Sequence, residues 1–191
     1  MSDTTGPAGA GEAPAAGAPG IEASVAEARA VTRLSAEVPS AEAPVRILVI
    51  CTGNSARSIL GEALLRQLGE GRLEVRSAGT HPKGVNPLSL RALAEAGIPS
   101  DGLVSTPLTA YLGEAFDYVI TVCDDAREAC PVFPGARQTL HWGLSDPAAV
   151  EGSDDERLAA FRATLAAFED RARGFPPVAA RLAARETVEP A

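Results

Sequence analysis

Residues 45–65 read VRILVICTGNSARSILGEALL, and this stretch decides the fold of the chain. It opens with the apolar, β-branched run Val45–Ile50, which is short enough to be a buried strand. A loop with a glycine and an asparagine follows, and from Ser58 the apolar residues recur at the spacing of an amphipathic helix. A strand, a tight loop and a helix in this order direct backbone N–H groups at a bound oxyanion. The stretch therefore predicts an anion-binding loop.

Two side chains give this loop a chemical character. Cys51 ends the predicted strand, where the loop would stabilise its thiolate and make its sulfur nucleophilic. Arg57 follows six residues later, and its planar guanidinium can bind two oxygens of a phosphate-like ligand. The alternative is structural, a buried cysteine at a strand end and an arginine at a solvated helix end. The candidate oxyanion-binding residues are Thr52, Gly53, Asn54, Ser55, Ala56, Arg57 and Ser58.

Composition places the chain among globular proteins. Its 191 residues, 46% of them hydrophobic, allow one domain with a sizeable core. The net charge of −8 argues against nucleic acid or an anionic membrane as a partner. We see no apolar stretch near the roughly 18 residues of a membrane span, and no secretory signal. Three cysteines, an odd number, then predict a reducing cytoplasm and catalytic or redox use.

The composition of the chain changes near residue 44. Residues 1–44 are dominated by Ala, Gly, Pro, Ser and Glu without aromatic side chains, which predicts a disordered tail. Residues 45–185 alternate strand and helix patterns, which predict an α/β domain with a parallel sheet. The predicted strands are residues 45–50, 73–78, 117–122 and 138–142, and helices are predicted to begin at Ser58, Pro87, Pro107 and Asp154.

The second and third cysteines bracket a short polar segment. Cys123 follows the third predicted strand, so it and Cys51 both lie at carboxyl ends of strands, where open α/β sheets bind ligands. If residues 124–129 were helical, the Cα atoms of Cys123 and Cys130 would lie about 10 Å apart, whereas a disulfide tolerates at most about 7 Å. A bridge would require this segment to unwind, which suits a transient redox step. The alternatives are two unrelated core residues, or a zinc site, for which too few further ligands remain.

An Asp-Pro pair follows the fourth predicted strand. Asp146 precedes Pro147, which restrains its backbone, and it is a candidate general acid facing the Cys51 loop. The alternative is that Asp146 only initiates a turn. His141 lies beside Trp142, and we expect it to be a packed structural histidine rather than a base.

Three motifs carry a resemblance to a known family. The sequence CTGNSARS at residues 51–58 resembles the signature of the low-molecular-weight protein tyrosine phosphatase fold. The segment Cys123–Pro131 and the stretch HWGLSDPA at residues 141–148 are similar to the thioredoxin-coupled arsenate reductases of that superfamily. The resemblance implies a four-stranded parallel sheet of order 2-1-3-4, flanked by helices.

The same resemblance implies a relay of three cysteines. Cys51 would attack arsenate while Arg57 and the loop amides hold the oxyanion and Asp146 helps a hydroxide leave. Cys123 would then attack the adduct of Cys51 with arsenic and release arsenite. Cys130 would next form a disulfide with Cys123 that thioredoxin reduces. The expected partners are arsenate and thioredoxin, no cofactor is expected to be bound, and the protein is expected to act as a monomer.

Some members of this superfamily bind potassium beside the loop. Asn54, Glu62 and Ser77 match that arrangement, but Thr106 stands where an aspartate is expected, which argues against a potassium site.

Two other functions use the same loop. The first is hydrolysis of phosphotyrosine by the Cys51 nucleophile. Phosphatases of this fold usually carry aromatic residues after the Asp-Pro pair, whereas Ala148 and Ala149 follow it here, and two cysteines would be idle. The second is a non-catalytic oxyanion-binding or redox-sensing protein.

Overall fold

The computed structural model of the protein describes residues 43–129 and 133–178. The predicted tail, apart from its last two residues, lies outside these ranges, as do Cys130 and Pro131. The extent of the predicted domain over residues 45–185 stays a prediction. Within the described residues, no helix has both the length and the apolar character to cross a membrane.

A parallel sheet of four strands in the order β2–β1–β3–β4 forms the centre of the fold. Strand β1 contacts a strand on either side, and its residues Ile47–Ile50 have no exposed surface. The carboxyl ends of the strands meet at one edge, where Cys51 pairs with Gly79 and Thr121 with His141. The predicted α/β class and strand order are therefore confirmed. The strands are β1 Val45–Cys51, β2 Leu73–Gly79, β3 Phe116–Thr121 and β4 Ala136–His141.

Helices cover the sheet, and the first of them is itself covered. The described helices are α1 Arg57–Gly69, α2 Pro87–Glu95, α3 Asp124–Ala129 and α4 Asp154–Arg173. Helix α1 contacts β1 and β2 and also α4, so every residue from Ser58 to Leu65 is buried. A Cβ atom on Gly61 would come within 2.3 Å of the Phe168 ring, so this close approach of α4 requires a glycine.

An aromatic cluster joins α4 to the sheet. Trp142 follows β4, and its ring centroid lies 5.3 Å from that of Phe168 and 5.5 Å from that of Phe175, both in edge-to-face geometry. Phe175 also contacts Tyr118 of β3 at 4.8 Å. These contacts fix the start of the loop that leads from β4 to Asp146.

Two predicted elements differ from the structure. The helix predicted from Pro107 is only a 3₁₀ turn, Leu108–Tyr111, because Leu112 is extended and Gly113 has a φ of +96°. Strand β4 begins two residues earlier and ends one residue earlier than predicted. It lies at the edge of the sheet with a mostly exposed surface, so it lacks the apolar run that locates a central strand.

Candidate active site

The loop after β1 is held along its length by a second loop, residues 80–86. The carbonyl oxygens of the loop after β1 accept hydrogen bonds from the backbone N–H groups of residues 80–86, so these carbonyl groups point outward. Because the C=O and N–H of a trans peptide point in opposite directions, the N–H groups of the same peptides are turned inward. Inward donors of this kind form a concave lining that suits an oxyanion. The bonds run from Thr80 to Cys51 (3.2 Å), His81 to Thr52 (2.8 Å), Lys83 to Gly53 (2.9 Å) and Asn86 to Ser55 (3.0 Å).

The sulfur of Cys51 has two hydrogen-bond partners inside this loop. The thiol is buried, and its Sγ accepts the Asn54 backbone N–H at 3.1 Å. Ser58 Oγ lies 2.9 Å from the same sulfur. Since Ser58 Oγ already accepts the Asn54 side-chain N–H at 2.9 Å, its own proton is free to be donated to the sulfur. This arrangement suits the thiolate, the nucleophilic form of cysteine.

Asn54 fixes the shape of the loop from below. It has a φ of 39°, which asparagine tolerates better than most residues, and its side chain is fully buried. Its Oδ1 accepts the Thr106 backbone N–H at 2.6 Å, and its Nδ2 donates to Ser58 and, at 2.7 Å, to Ser77. Asn54 and Ser58 were predicted as oxyanion-binding residues of the loop, and the structure places both side chains in this buried network.

A cavity of about 200 Å³ opens above the loop, smaller than the pockets of roughly 300–1,000 Å³ that hold drug-sized ligands. Of the sequence-predicted site residues, seven line it: Cys51, Thr52, Gly53, Ser55, Ala56, Arg57 and Asp146. Sequence reasoning missed Lys83 and Asp125, which also line the cavity together with Ala148.

Arg57 and Asp146 meet across the cavity. Arg57 Nη2 lies 3.0 Å from Asp146 Oδ2, and Nη1 donates to the Leu144 carbonyl at 3.2 Å. The other oxygen of Asp146 accepts the Ala148 N–H at 3.1 Å and caps a 3₁₀ turn that begins at Pro147. Asp146 thus does both things considered from the sequence, since it starts a turn and faces the loop.

Cys123 lies directly beside the loop. It follows β3 by two residues, is buried, and has its Sγ 3.3 Å from Thr52 Oγ1. The structure therefore brings the second cysteine to the residue next to Cys51. Cys130 lies outside the described residues.

His141 stands apart from the cavity. Its Nδ1 lies 2.9 Å from Thr121 Oγ1, and its Nε2 lies 3.3 Å from Asp124 Oδ1. The residues that line the cavity do not include it. This placement fits a structural histidine.

A buried carboxylate supports the network under the loop. Glu62 accepts a hydrogen bond from the Ser77 hydroxyl and pairs with Arg66 one helical turn away. Burial raises the pKa of Glu62, against the opposing effects of the Ser77 hydrogen bond and the Arg66 charge.

The same residues test the potassium site that the family implies. Asn54 Oδ1 and both carboxylate oxygens of Glu62 already receive N–H or O–H donors, and a guanidinium supplies the positive charge. Thr106 brings a backbone N–H rather than a carboxylate. The residues present therefore do not fit a potassium ion. Among the described residues, no group of three or more His, Cys, Asp or Glu could hold a metal ion.

Known proteins are similar to this chain in sequence and in fold. The family described as low molecular weight phosphotyrosine protein phosphatase matches residues 46–187. The arsenate reductase of Halalkalibacterium halodurans is 38% identical over 116 residues, which cover 61% of this chain and 84% of that protein. A solved arsenate reductase in a phosphate-binding state has a TM-score of 0.57 at 27% identity, covering 66% of this chain and 92% of that one. The thioredoxin-dependent arsenate reductase of Corynebacterium glutamicum has a TM-score of 0.51 at 31% identity, covering 69% and 63%.

Proposed function

This chain belongs to the low molecular weight phosphotyrosine protein phosphatase family, and we propose that it reduces arsenate to arsenite with thioredoxin as the reductant. The observation that carries the proposal is the pair of buried thiols at one edge of the sheet. Cys51 lies at the start of the loop after β1, and the Cys123 sulfur contacts Thr52 of the same loop. Hydrolysis of a phosphate ester needs only the first thiol, whereas a two-electron reduction needs a second. Relatives named arsenate reductases support this choice.

The first step joins the substrate to Cys51. The inward N–H groups and the Arg57 guanidinium hold the arsenate oxygens. The Cys51 thiolate attacks arsenic, an As–S bond forms, and an As–O bond breaks. The departing hydroxide takes a proton from the Asp146 carboxyl and leaves as water.

The second step transfers the electrons. The Cys123 thiolate attacks the Cys51 sulfur, so an S–S bond forms and the S–As bond breaks. The electron pair of that bond stays on arsenic, which becomes As(III) and leaves as arsenite. The Cys130 thiolate then attacks the Cys123 sulfur and frees Cys51. The dithiol of thioredoxin supplies two electrons to the Cys123–Cys130 disulfide and completes the cycle.

Helix α3 lies between the two cysteines of that last disulfide. A seven-residue separation in a helix spans about 10 Å, so α3 has to open before a bridge of about 7 Å can form. Of the residues 124–128 only Ala126 is buried, and opening so exposed a segment costs little free energy. The exposure of α3 supports the relay.

The test is arsenite formation with thioredoxin, thioredoxin reductase and NADPH. We expect many turnovers from the wild type and about one per molecule from Cys130→Ser, because its cycle stops at the Cys51–Cys123 disulfide. The absence of arsenite from the wild type would contradict the proposal. Turnover with another thiol donor alone would change only the partner. Since the relay needs reduced thiols, we also propose that the protein works in the cytoplasm.

Phosphotyrosine hydrolysis is the second candidate, and the family match is consistent with it. Cys51, Arg57 and Asp146 are the groups that such a hydrolase needs, and all three line the cavity. The wall after Pro147 is the small side chain of Ala148, and none of the described residues that line the cavity has an aromatic ring to pack on a phenyl group. Cys123→Ser separates the two functions, because it would abolish arsenite formation and leave aryl phosphate hydrolysis unchanged.

A further inference from the structure

Lys83 is the only lysine in the 191-residue chain, and it lines the cavity above Cys51. Its backbone N–H donates to the Gly53 carbonyl at 2.9 Å, and the neighbouring Gly84 N–H donates to Ser105 Oγ at 3.1 Å. Its aliphatic stem lies along the loop, with Cδ 3.5 Å from where a Cβ atom on Gly53 would be. The second loop thus holds the Lys83 side chain, which ends in an ammonium group, against the cavity.

The charges around the cavity leave this ammonium group available. Among residues 43–129 and 133–178, the charged residues that line the cavity are two cations, Arg57 and Lys83, and two carboxylates, Asp125 and Asp146. Arg57 is already paired with Asp146 at 3.0 Å. Within the described part of the chain, no ion pair involves the Lys83 side chain. Without Lys83 the lining would carry a net negative charge, in a protein whose net charge is already −8, and an anion would be repelled.

We infer that Lys83 is a second anion-binding side chain of the cavity, which contacts an outer oxygen of the bound oxyanion and favours the charged substrate over the product. The choice of arsenate as that oxyanion rests on the proposed function. Arsenate is an anion at neutral pH, whereas arsenite is then the uncharged arsenous acid. A compact ammonium charge therefore attracts the substrate and leaves the product free to depart. Such binding lowers KM without raising kcat.

Direct labelling tests the contact, because the only amines of the chain are Lys83 and the N-terminal α-amino group. The full-length protein is treated with acetic anhydride with and without inorganic phosphate, and acetylation at each amine is followed by mass spectrometry. We expect phosphate to slow acetylation of Lys83 and to leave the α-amino group unaffected. Equal acetylation of Lys83 with and without phosphate would overturn the inference.

Variants test the contribution of the charge to binding. Phosphate affinity is measured as protection of Cys51 from iodoacetamide, with the Cys51 peptide quantified by mass spectrometry. We expect Lys83→Gln to raise the phosphate Kd about fivefold. Added KCl should reduce the difference in Kd between the wild type and Lys83→Gln, because salt screens the charge. Lys83→Arg should keep most of the affinity. Arg91→Gln is the matched control, because it removes one positive charge from an exposed position of α2 away from the cavity.

The outcomes separate this inference from the proposed function. An unchanged phosphate Kd in Lys83→Gln, or an equal change in Arg91→Gln, would overturn the role of Lys83. Phosphate binding needs no turnover, so a protein that makes no arsenite but loses phosphate affinity in Lys83→Gln would overturn only the proposed reaction. If the wild type reduces arsenate, Lys83→Gln should raise the KM for arsenate about fivefold and leave kcat unchanged.

Discussion

The two described cysteines meet at one edge of the sheet but lie in very different surroundings. Around Cys51, the side chains of Asn54 and Ser58 are fully buried, and the carbonyl oxygens of the loop are bonded to residues 80–86. Cys123 instead leads into α3, a helix of six residues whose side chains at positions 124, 125, 127 and 128 are exposed. Cys51 therefore lies in a loop that buried hydrogen bonds hold in place, and Cys123 lies at the start of a short, exposed helix.

The interactions in the two regions also differ in strength. The ion pair within α3, Arg127–Asp124 at 3.2 Å, joins two exposed side chains, and such pairs contribute about 0–1 kcal/mol. Each buried hydrogen bond of Asn54 would leave a group unsatisfied if it were lost, at about 1–3 kcal/mol. A nucleophile needs donors fixed before the reaction starts, whereas a resolving segment has to change its conformation in every turnover.

Removing either sulfur should give the largest effect. Cys51→Ser is expected to lower the rate of arsenite formation about 10⁴-fold or more, because the first bond to arsenic cannot form efficiently. Cys123→Ser should stop arsenite formation as completely but leave phosphate binding unchanged, measured as protection of Cys51 from iodoacetamide. Arsenite formation by Cys123→Ser at the wild-type rate would exclude the relay.

Removal of the buried side-chain hydrogen bonds of Asn54, with all three cysteines kept, should give the next largest loss of activity. Asn54→Ala is expected to lower the free energy of unfolding by about 3 kcal/mol and the rate of arsenite formation about 100-fold. Urea unfolding and the thioredoxin-coupled assay measure the two effects. Asn86→Ala is the control, since it loses only the cap of α2, worth about 1 kcal/mol, and should keep its activity. Equal losses of activity in both variants would mean that the Asn54 network has no special role.

Destabilising helix α3 should accelerate formation of the Cys123–Cys130 disulfide. Glu128→Gly is expected to destabilise α3 by about 1 kcal/mol and to accelerate formation of the Cys123–Cys130 disulfide about fivefold, if opening of the helix limits that step. Reappearance of the free Cys51 thiol during a single turnover, quantified in the Cys51 peptide by mass spectrometry, measures the rate. Glu128→Ala keeps the helix and should show no acceleration. Equal rates in the two variants would show that opening is not limiting.

The smallest effect concerns pH and the carboxylate beneath the loop. Burial raises the pKa of Glu62 above 4.5, so the folded protein holds a proton that the unfolded chain releases. The stability that this proton provides is fully present below about pH 4.5 and is lost as the pH rises through the folded pKa. The free energy of unfolding of the wild type, relative to Glu62→Gln, should therefore fall as the pH rises above about 4.5. A rise would mean that Arg66 and Ser77 outweigh burial.

The central strands were predictable from the sequence because they are buried on both faces. Strands β1 and β3 lie within one residue of their predicted ends, since an apolar run of this kind has few other uses. The edge strand β4 carries no such run, so its predicted start was two residues late. The predicted helix after Pro107 failed because extended Leu112 and left-handed Gly113 end it after one turn.

The candidate site was predictable only where its residues share a local motif. Cys51 and Arg57 belong to one loop, and an Asp-Pro pair identified Asp146. Lys83 and Asp125 were missed because no local pattern brings them to the cavity. Lys83 reaches it through a backbone hydrogen bond to a residue thirty positions earlier, a pairing that only the folded chain reveals.

The single tryptophan of the chain gives this architecture an optical readout. Trp142 packs against Phe168 and Phe175, and its backbone N–H donates to the Thr121 carbonyl at 2.8 Å. One fluorophore therefore senses both the sheet and the helix that covers it. Its emission would report the packing of α4 on the sheet without any engineered label. The same sample would allow this emission to be followed while the Cys123–Cys130 disulfide forms.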